Sequence, residues 1–113
     1  MIRGKDLESS LPKSLRISKD EIVESGALLS NKIVRLVKNV LDEMPTEMSD
    51  EVLKRGILMI GGGCQFGNLA KMIEDESKIN VVIAKNPDKA VILGCEKLIS
   101  NPELLSLVKV ANK

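Results

Sequence analysis

The stretch ILMIGGGCQFGNLAKMIEDE, Ile57 to Glu76, decides how this chain reads. Ile57 to Ile60 is an apolar run without alternation, as expected of a strand covered on both faces. It runs straight into Gly61, Gly62 and Gly63. A helical pattern follows, predicted from about Gly67 to Ser77, with Leu69, Met72 and Ile73 on one face. Downstream, Ile79 to Ala84 reads as a second buried strand. Asn86-Pro87-Asp88 reads as a turn and helix start, with Asp88 as the helix cap. Ala90, Val91, Leu93, Leu98 and Ile99 then recur at helical spacing, and a last helix is predicted from Pro102 to Val110. The order strand, glycine loop, helix, strand, turn, helix is a βαβ unit, which implies parallel strands with a right-handed crossover.

Upstream, Ile2 to Leu7 and Lys13 to Ile17 read as two short strands around a turn holding Ser9, Ser10 and Pro12. Ser18-Lys-Asp-Glu21 has the capping-box pattern, in which serine and glutamate each satisfy a backbone amide of the other. A long helix is expected after it. Ile22, Leu29, Ile33, Leu36, Val37, Val40, Leu41 and Met44 carry its apolar face, and Pro45 ends it. Gly26 weakens that helix locally, by about 1 kcal/mol relative to alanine. Residues 47–55 read as a short helix closed by Gly56 in a left-handed cap. The fold class is therefore α/β, a βαβ core with a long N-terminal helix. The organisation is one domain over 1–113: a strand hairpin over 1–17, then the α/β core and C-terminal helices over 18–113.

Composition narrows the function. Apolar residues make up 43% and charged residues 29% of the 113, an ordinary globular balance. A net charge of +1 gives no electrostatic reason to expect nucleic acid as a partner. With one Phe and neither Tyr nor Trp, stacking platforms for single strands are excluded. No apolar run approaches the ~18 residues of a membrane span, and the start MIRGKDLESS lacks the hydrophobic stretch of a signal peptide. There is no histidine. Cys64 and Cys95 lie far apart in sequence, so no metal site is expected, and both read as reduced thiols of a cytoplasmic protein.

The three glycines sit at the carboxyl end of the first parallel strand, where open α/β sheets bind ligands. Without a Cβ, a flat ring or a phosphate can approach the backbone closely, and a helix start offers free amides. The alternative is a tight turn that needs glycine for geometry alone, and spacing leaves both readings standing. The pattern is neither GxGxxG nor a P-loop, which lacks its lysine here. No nucleophile–base pair can be assembled, so no catalytic residue is assigned. Asp75 and Glu76 read as a solvated helix face.

The blocks Arg3-Gly4-Lys5-Asp6-Leu7, Leu11-Pro12-Lys13, Ile17-Ser18, Gly56 to Gly63, Asn86-Pro87 and Val91-Ile92-Leu93-Gly94 resemble, in order and spacing, the C-terminal part of the MreB-like bacterial actin-like ATPases. The resemblance implies a partial ribonuclease H-like half of the actin and sugar-kinase ATPase fold. It implies a cytoskeletal protein that forms ATP-dependent filaments for cell shape. By position, Gly61, Gly62, Gly63, Cys64, Gln65 and Phe66 match the family's adenosine motif, which makes them the cofactor-binding residues and ATP the cofactor. The chain departs from the family pattern at Cys64-Gln65-Phe66, at Gly67, at Lys85 and at Gly94-Cys95-Glu96.

The resemblance also implies that this chain has roughly one third of a family protein, without the phosphate loops, the metal-binding acidic residue or the catalytic glutamate. It then hydrolyses no ATP by itself, because phosphoryl transfer needs those parts together. Two short parallel strands leave open sheet edges, so self-association into a homo-oligomer is expected, or association with full-length MreB-like subunits. Other readings are a small self-associating protein without nucleotide, and a fragment of a DnaK- or FtsA-type ATPase.

Overall fold

The computed structural model describes residues 1–108. An antiparallel hairpin comes first, β1 (Ile2–Lys5) and β2 (Pro12–Leu15), with Ile2 opposite Leu15 and Lys5 opposite Pro12. Pro12 belongs to β2 and not to the turn. The intervening loop is closed by the Asp6 amide donating to the Leu11 carbonyl (2.9 Å) and by the Ser10 amide donating to the Asp6 carbonyl (2.9 Å). Ser10 takes a positive φ of 59° there.

Helix α1 (Lys19–Asp42) starts on the expected capping box. The Glu21 amide donates to Ser18 Oγ (3.2 Å) and the Ser18 amide to Glu21 Oε2 (2.6 Å). At 24 residues α1 is about 36 Å long. It ends three residues before Pro45, which opens α2 (Thr46–Arg55). Gly56 follows with the expected positive φ, 82°, but its ψ of −171° is extended, so the helix closes without a left-handed cap. The extended exit aims the chain directly into the next strand.

That strand, β3 (Ile57–Met59), pairs in parallel with β4 (Val81–Ile83), Ile57 opposite Val81 and Met59 opposite Ile83. Helix α3 (Leu69–Ser77) is the crossover and packs between α1 and β4. Its C-cap, Lys78, is left-handed (φ 60°). Glu74 Oε2 accepts from the Val81 amide (2.8 Å), tying helix to strand. Lys38 of α1 meets Glu76 of α3 at 2.7 Å, so Glu76 holds an ion pair between helices where a purely solvated face was expected. After β4 come a short 3₁₀ turn at Pro87–Lys89, α4 (Ala90–Ser100) and α5 (Pro102–Leu105). Asp88 makes no capping bond; Lys89 stands at the α4 N-cap. The expected last helix stops at Leu105, and residues 109 and 110 of that expectation lie outside the described residues.

The buried apolar core is small: Cys64, Leu69, Ile73 and Ile79. The expectation that both strands are covered on two faces fails within this chain, since Leu58 is 66% and Val82 51% exposed. The radius of gyration is 20.1 Å, against about 13 Å for a compact chain of this length. The accessible surface is 9886 Å², against about 6,000 Å² for a folded monomer of this mass. Apolar residues patterned for a core therefore stand open. They include Leu36 and Val40 on α1 and Ile92 and Ile99 on α4.

Candidate functional site: the glycine loop after β3

Gly61 leaves β3 with φ 93° and ψ 151°, a conformation that favours glycine. Its amide donates to the Pro87 carbonyl (2.7 Å), which joins this loop to the turn that follows β4. Parallel pairing of β3 and β4 is what brings these two carboxyl-end turns together. Asn86 is left-handed (φ 52°) and Pro87 is buried, so that second turn is itself fixed.

Gly62–Gln65 then forms a single 3₁₀ turn. The sequence predicts a helix from about Gly67. The structure places α3 at Leu69 instead, because Gly67 reverses the chain with φ 54°. The amides facing outward are therefore those of one tight turn. The Cys64 thiol points inward and donates to the Gly61 carbonyl (2.9 Å), and the Phe66 amide closes the turn on the Gly63 carbonyl (3.1 Å).

The fold itself requires glycine at only one of the three positions. Gly61 has the positive φ; Gly62 and Gly63 do not. A Cβ on Gly62 would lie 3.8 Å from Asp88 Cβ, ordinary contact, and one on Gly63 would meet nothing within 4 Å. Both residues are exposed. The turn thus presents two bare backbone units outward for no reason found among the described residues.

Of the six residues singled out in sequence, Gly61 to Gln65 come together in this turn. Gln65 is exposed beside it and Cys64 contributes backbone only, its side chain being buried. The Phe66 ring departs from the group: it lies against Gly26 of α1, where a Cβ would overlap Cε1 and Cζ of the ring. Asp88 and the Pro87 carbonyl, read in sequence only as parts of a turn and helix start, sit beside Gly62 and Gly61. The signal that could have placed them is the parallel pairing, which puts the end of β4 next to the end of β3.

The groups with displaced titration lie away from this turn. The Glu8 amide, then other local hydrogen bonds, hold Asp6 below the usual carboxylate range. The Ser18 backbone does the same for Glu21. The Lys38–Glu76 hydrogen bond lowers Glu76 and raises Lys38. These are cap and ion-pair effects. Among the described residues no group of three His, Cys, Asp or Glu side chains is placed to hold a metal, and no helix is long and apolar enough to cross a membrane. The chemistry this loop offers is close approach of a ligand to backbone.

Comparison with known proteins gives a consistent picture. The family description MreB/Mbl protein matches residues 1–106. The cell shape-determining protein Mbl of Bacillus subtilis is 31% identical over 110 residues, 97% of this chain and 33% of that protein. The cell shape-determining protein MreB of Escherichia coli is 30% identical over 93 residues, 82% of this chain and 27% of that protein. Among solved structures, MreB5 of Spiroplasma citri bound to ADP superposes with a TM-score of 0.77 at 31% identity, covering 88% of this chain and 30% of that one. The same protein bound to AMPPNP gives 0.76 at 31% identity, covering 94% and 33%. The chain spans about a third of the length of the relatives it matches. Its mixed helix and strand architecture is a partial unit of the actin-like fold.

Proposed function

Because the chain belongs to the MreB/Mbl family, we propose that it is a part of a cytoplasmic, cell-shape-determining actin-like protein and carries the adenosine side of that protein's nucleotide site. The observation behind this reading is the pair Gly62 and Gly63, which are exposed and whose backbone and surroundings would accept a side chain. What keeps them bare is then something that docks on them. An adenine nucleotide fits, because a planar base needs a flat approach to main chain. The MreB5 relatives bound to ADP and AMPPNP support the same ligand class.

In this reading Gly61 to Gly63, Cys64 and Gln65 receive the nucleoside through backbone and the Gln65 side chain. Phosphate, metal and attacking water are handled by parts of the family protein outside this chain. The chain alone hydrolyses no ATP. The uncovered strands and helices are met in assembly, by further copies of the chain or by full-length family subunits, as a filament-forming role requires.

Calorimetric titration of Mg-ATP and Mg-ADP into the chain tests this, with Gly62→Val as the comparison. Saturable binding abolished by the valine supports the reading. Binding that the valine leaves intact, or no heat up to millimolar nucleotide, removes it. Phosphate release above the spontaneous rate, persisting through purification, would contradict the absence of turnover.

A further inference from the structure

The fold uses its one aromatic residue in an unusual place. Phe66 caps the glycine loop's 3₁₀ turn (Gly62–Gln65) and is also its exit. Its amide closes the turn on Gly63, and its carbonyl accepts from the Leu69 amide at the start of α3 (3.3 Å). Its ring lies on α1 at Gly26, 40 residues earlier in the chain. Gly26 sits in the interior of a 24-residue helix with no positive φ, so backbone conformation gives no reason for glycine there. Helix stability argues against it by about 1 kcal/mol. The ring supplies the reason, since any Cβ at that position would occupy the space of Cε1 and Cζ. Val23 lies one turn earlier on the same helix face, and Gly67 stands beside it. A Cβ on Gly67 would come within 3.6 Å of Val23 Cγ1. The exit of the loop therefore runs along α1, with a ring set into a notch.

We propose that Phe66 is the positioning residue of the glycine loop: its ring, seated in the notch that Gly26 leaves in α1, fixes the Gly62–Gln65 turn in the pose that receives its ligand. The proposal rests on the preceding section only for the ligand's identity as an adenine nucleotide. The notch couples α1 to the loop in both directions. A ligand that orders the turn holds the ring on α1, and a displacement of α1 that closes the notch loosens the turn.

Cys64 gives a direct readout, being buried in the turn while Cys95 is exposed. In wild type, a water-soluble thiol reagent modifies Cys95 quickly and Cys64 slowly. In Gly26→Ala the ring is expelled, and the Cys64 rate relative to Cys95 rises by on the order of tenfold as the turn opens locally. In Gly26→Ala/Phe66→Leu the smaller side chain fits beside the new methyl, and Cys64 protection returns. Circular dichroism shows that each variant keeps its helix content. If Gly26→Ala leaves the Cys64 rate unchanged, the ring does not set the turn and the proposal falls. It falls equally if the double variant stays as reactive as the single one, because the effect is then a general disturbance. Mg-ADP titration forms a separate arm: affinity should fall in Gly26→Ala and recover in the double variant. Wild type that binds no nucleotide would remove the ligand assignment, while the Cys64 rates still decide the positioning role.

Discussion

Replacing Gly56 with alanine should be the most damaging single-methyl change in the βαβ unit. Gly56 has φ 82° and ψ −171°, a region essentially closed to side-chain-bearing residues, and holding alanine there costs about 1–3 kcal/mol. The new Cβ would also stand 2.6 Å from the Asn80 carbonyl oxygen. That oxygen is backbone and cannot swing away as a side chain would. It also accepts the Ile57 amide at 2.8 Å, the bond that starts the pairing of β3 with β4. Moving it weakens a hydrogen bond of about 0.5–1.5 kcal/mol net. Together the loss is about 2–4 kcal/mol, a large part of what a small domain has. In urea, with slopes of about 1–3 kcal/mol per molar, the midpoint should fall by roughly 1–2 M. Hydrogen exchange should show the Ile57 amide, and the Ala84 amide that bonds the Met59 carbonyl at the far end of the ladder (3.0 Å), losing protection. Gly63→Ala is the control, with open space at its Cβ and no positive φ, and should stay within ~0.5 kcal/mol of wild type. Equal stability of Gly56→Ala and Gly63→Ala, with Ile57 still protected, would refute the reasoning.

Ser18→Ala removes the capping box, and the start of α1 should lose about 1 kcal/mol, seen as reduced helicity by circular dichroism and faster exchange of the Glu21 amide. Glu74→Ala leaves the Val81 amide without its 2.8 Å partner; a hydrogen bond to a charged group contributes about 1.5–3 kcal/mol, so the unfolding midpoint should drop without a change in slope. The Lys38–Glu76 pair gives two pH limbs. Glu76 is lowered from 4.5, so its contribution is present above that value and is lost as pH falls through its folded pKa. Lys38 is raised from 10.5, so its contribution is present below that value and is lost as pH rises through its folded pKa. Both groups are half exposed, so each limb is small, and Glu76→Gln should flatten both in a melting-temperature profile against pH.

Local signals in the sequence carried far. The capping box, the break at Pro45 and the placement of the glycine loop at the end of β3 are decided by residues within a few positions of one another, and the parallel strand pair by the order strand, helix, strand. Burial was less legible. Leu58 and Val82 are patterned for cover that none of the other described residues supplies, and a hydrophobic pattern records that a face is to be covered without recording by what. The loop was half legible. Three glycines in a row conceal that only Gly61 bends the chain, and Gly67, four residues past the run, delays the helix to Leu69. Phe66 stands among the ligand-facing residues by its position in the motif that the resemblance implies. The decisive partner is Gly26, which by itself reads only as a weak point in a helix.

The amino-terminal hairpin has a different consequence. Its two four-residue strands are exposed along their whole length, and a two-stranded ribbon alone is marginal in water. Whatever surface comes to lie on it must supply the free energy of ordering it as well as of contact. Segments of this kind bind with less affinity per unit area than rigid ones. A contact made through this ribbon therefore carries the cost of ordering both strands, and its strength depends on how far the hairpin is already formed.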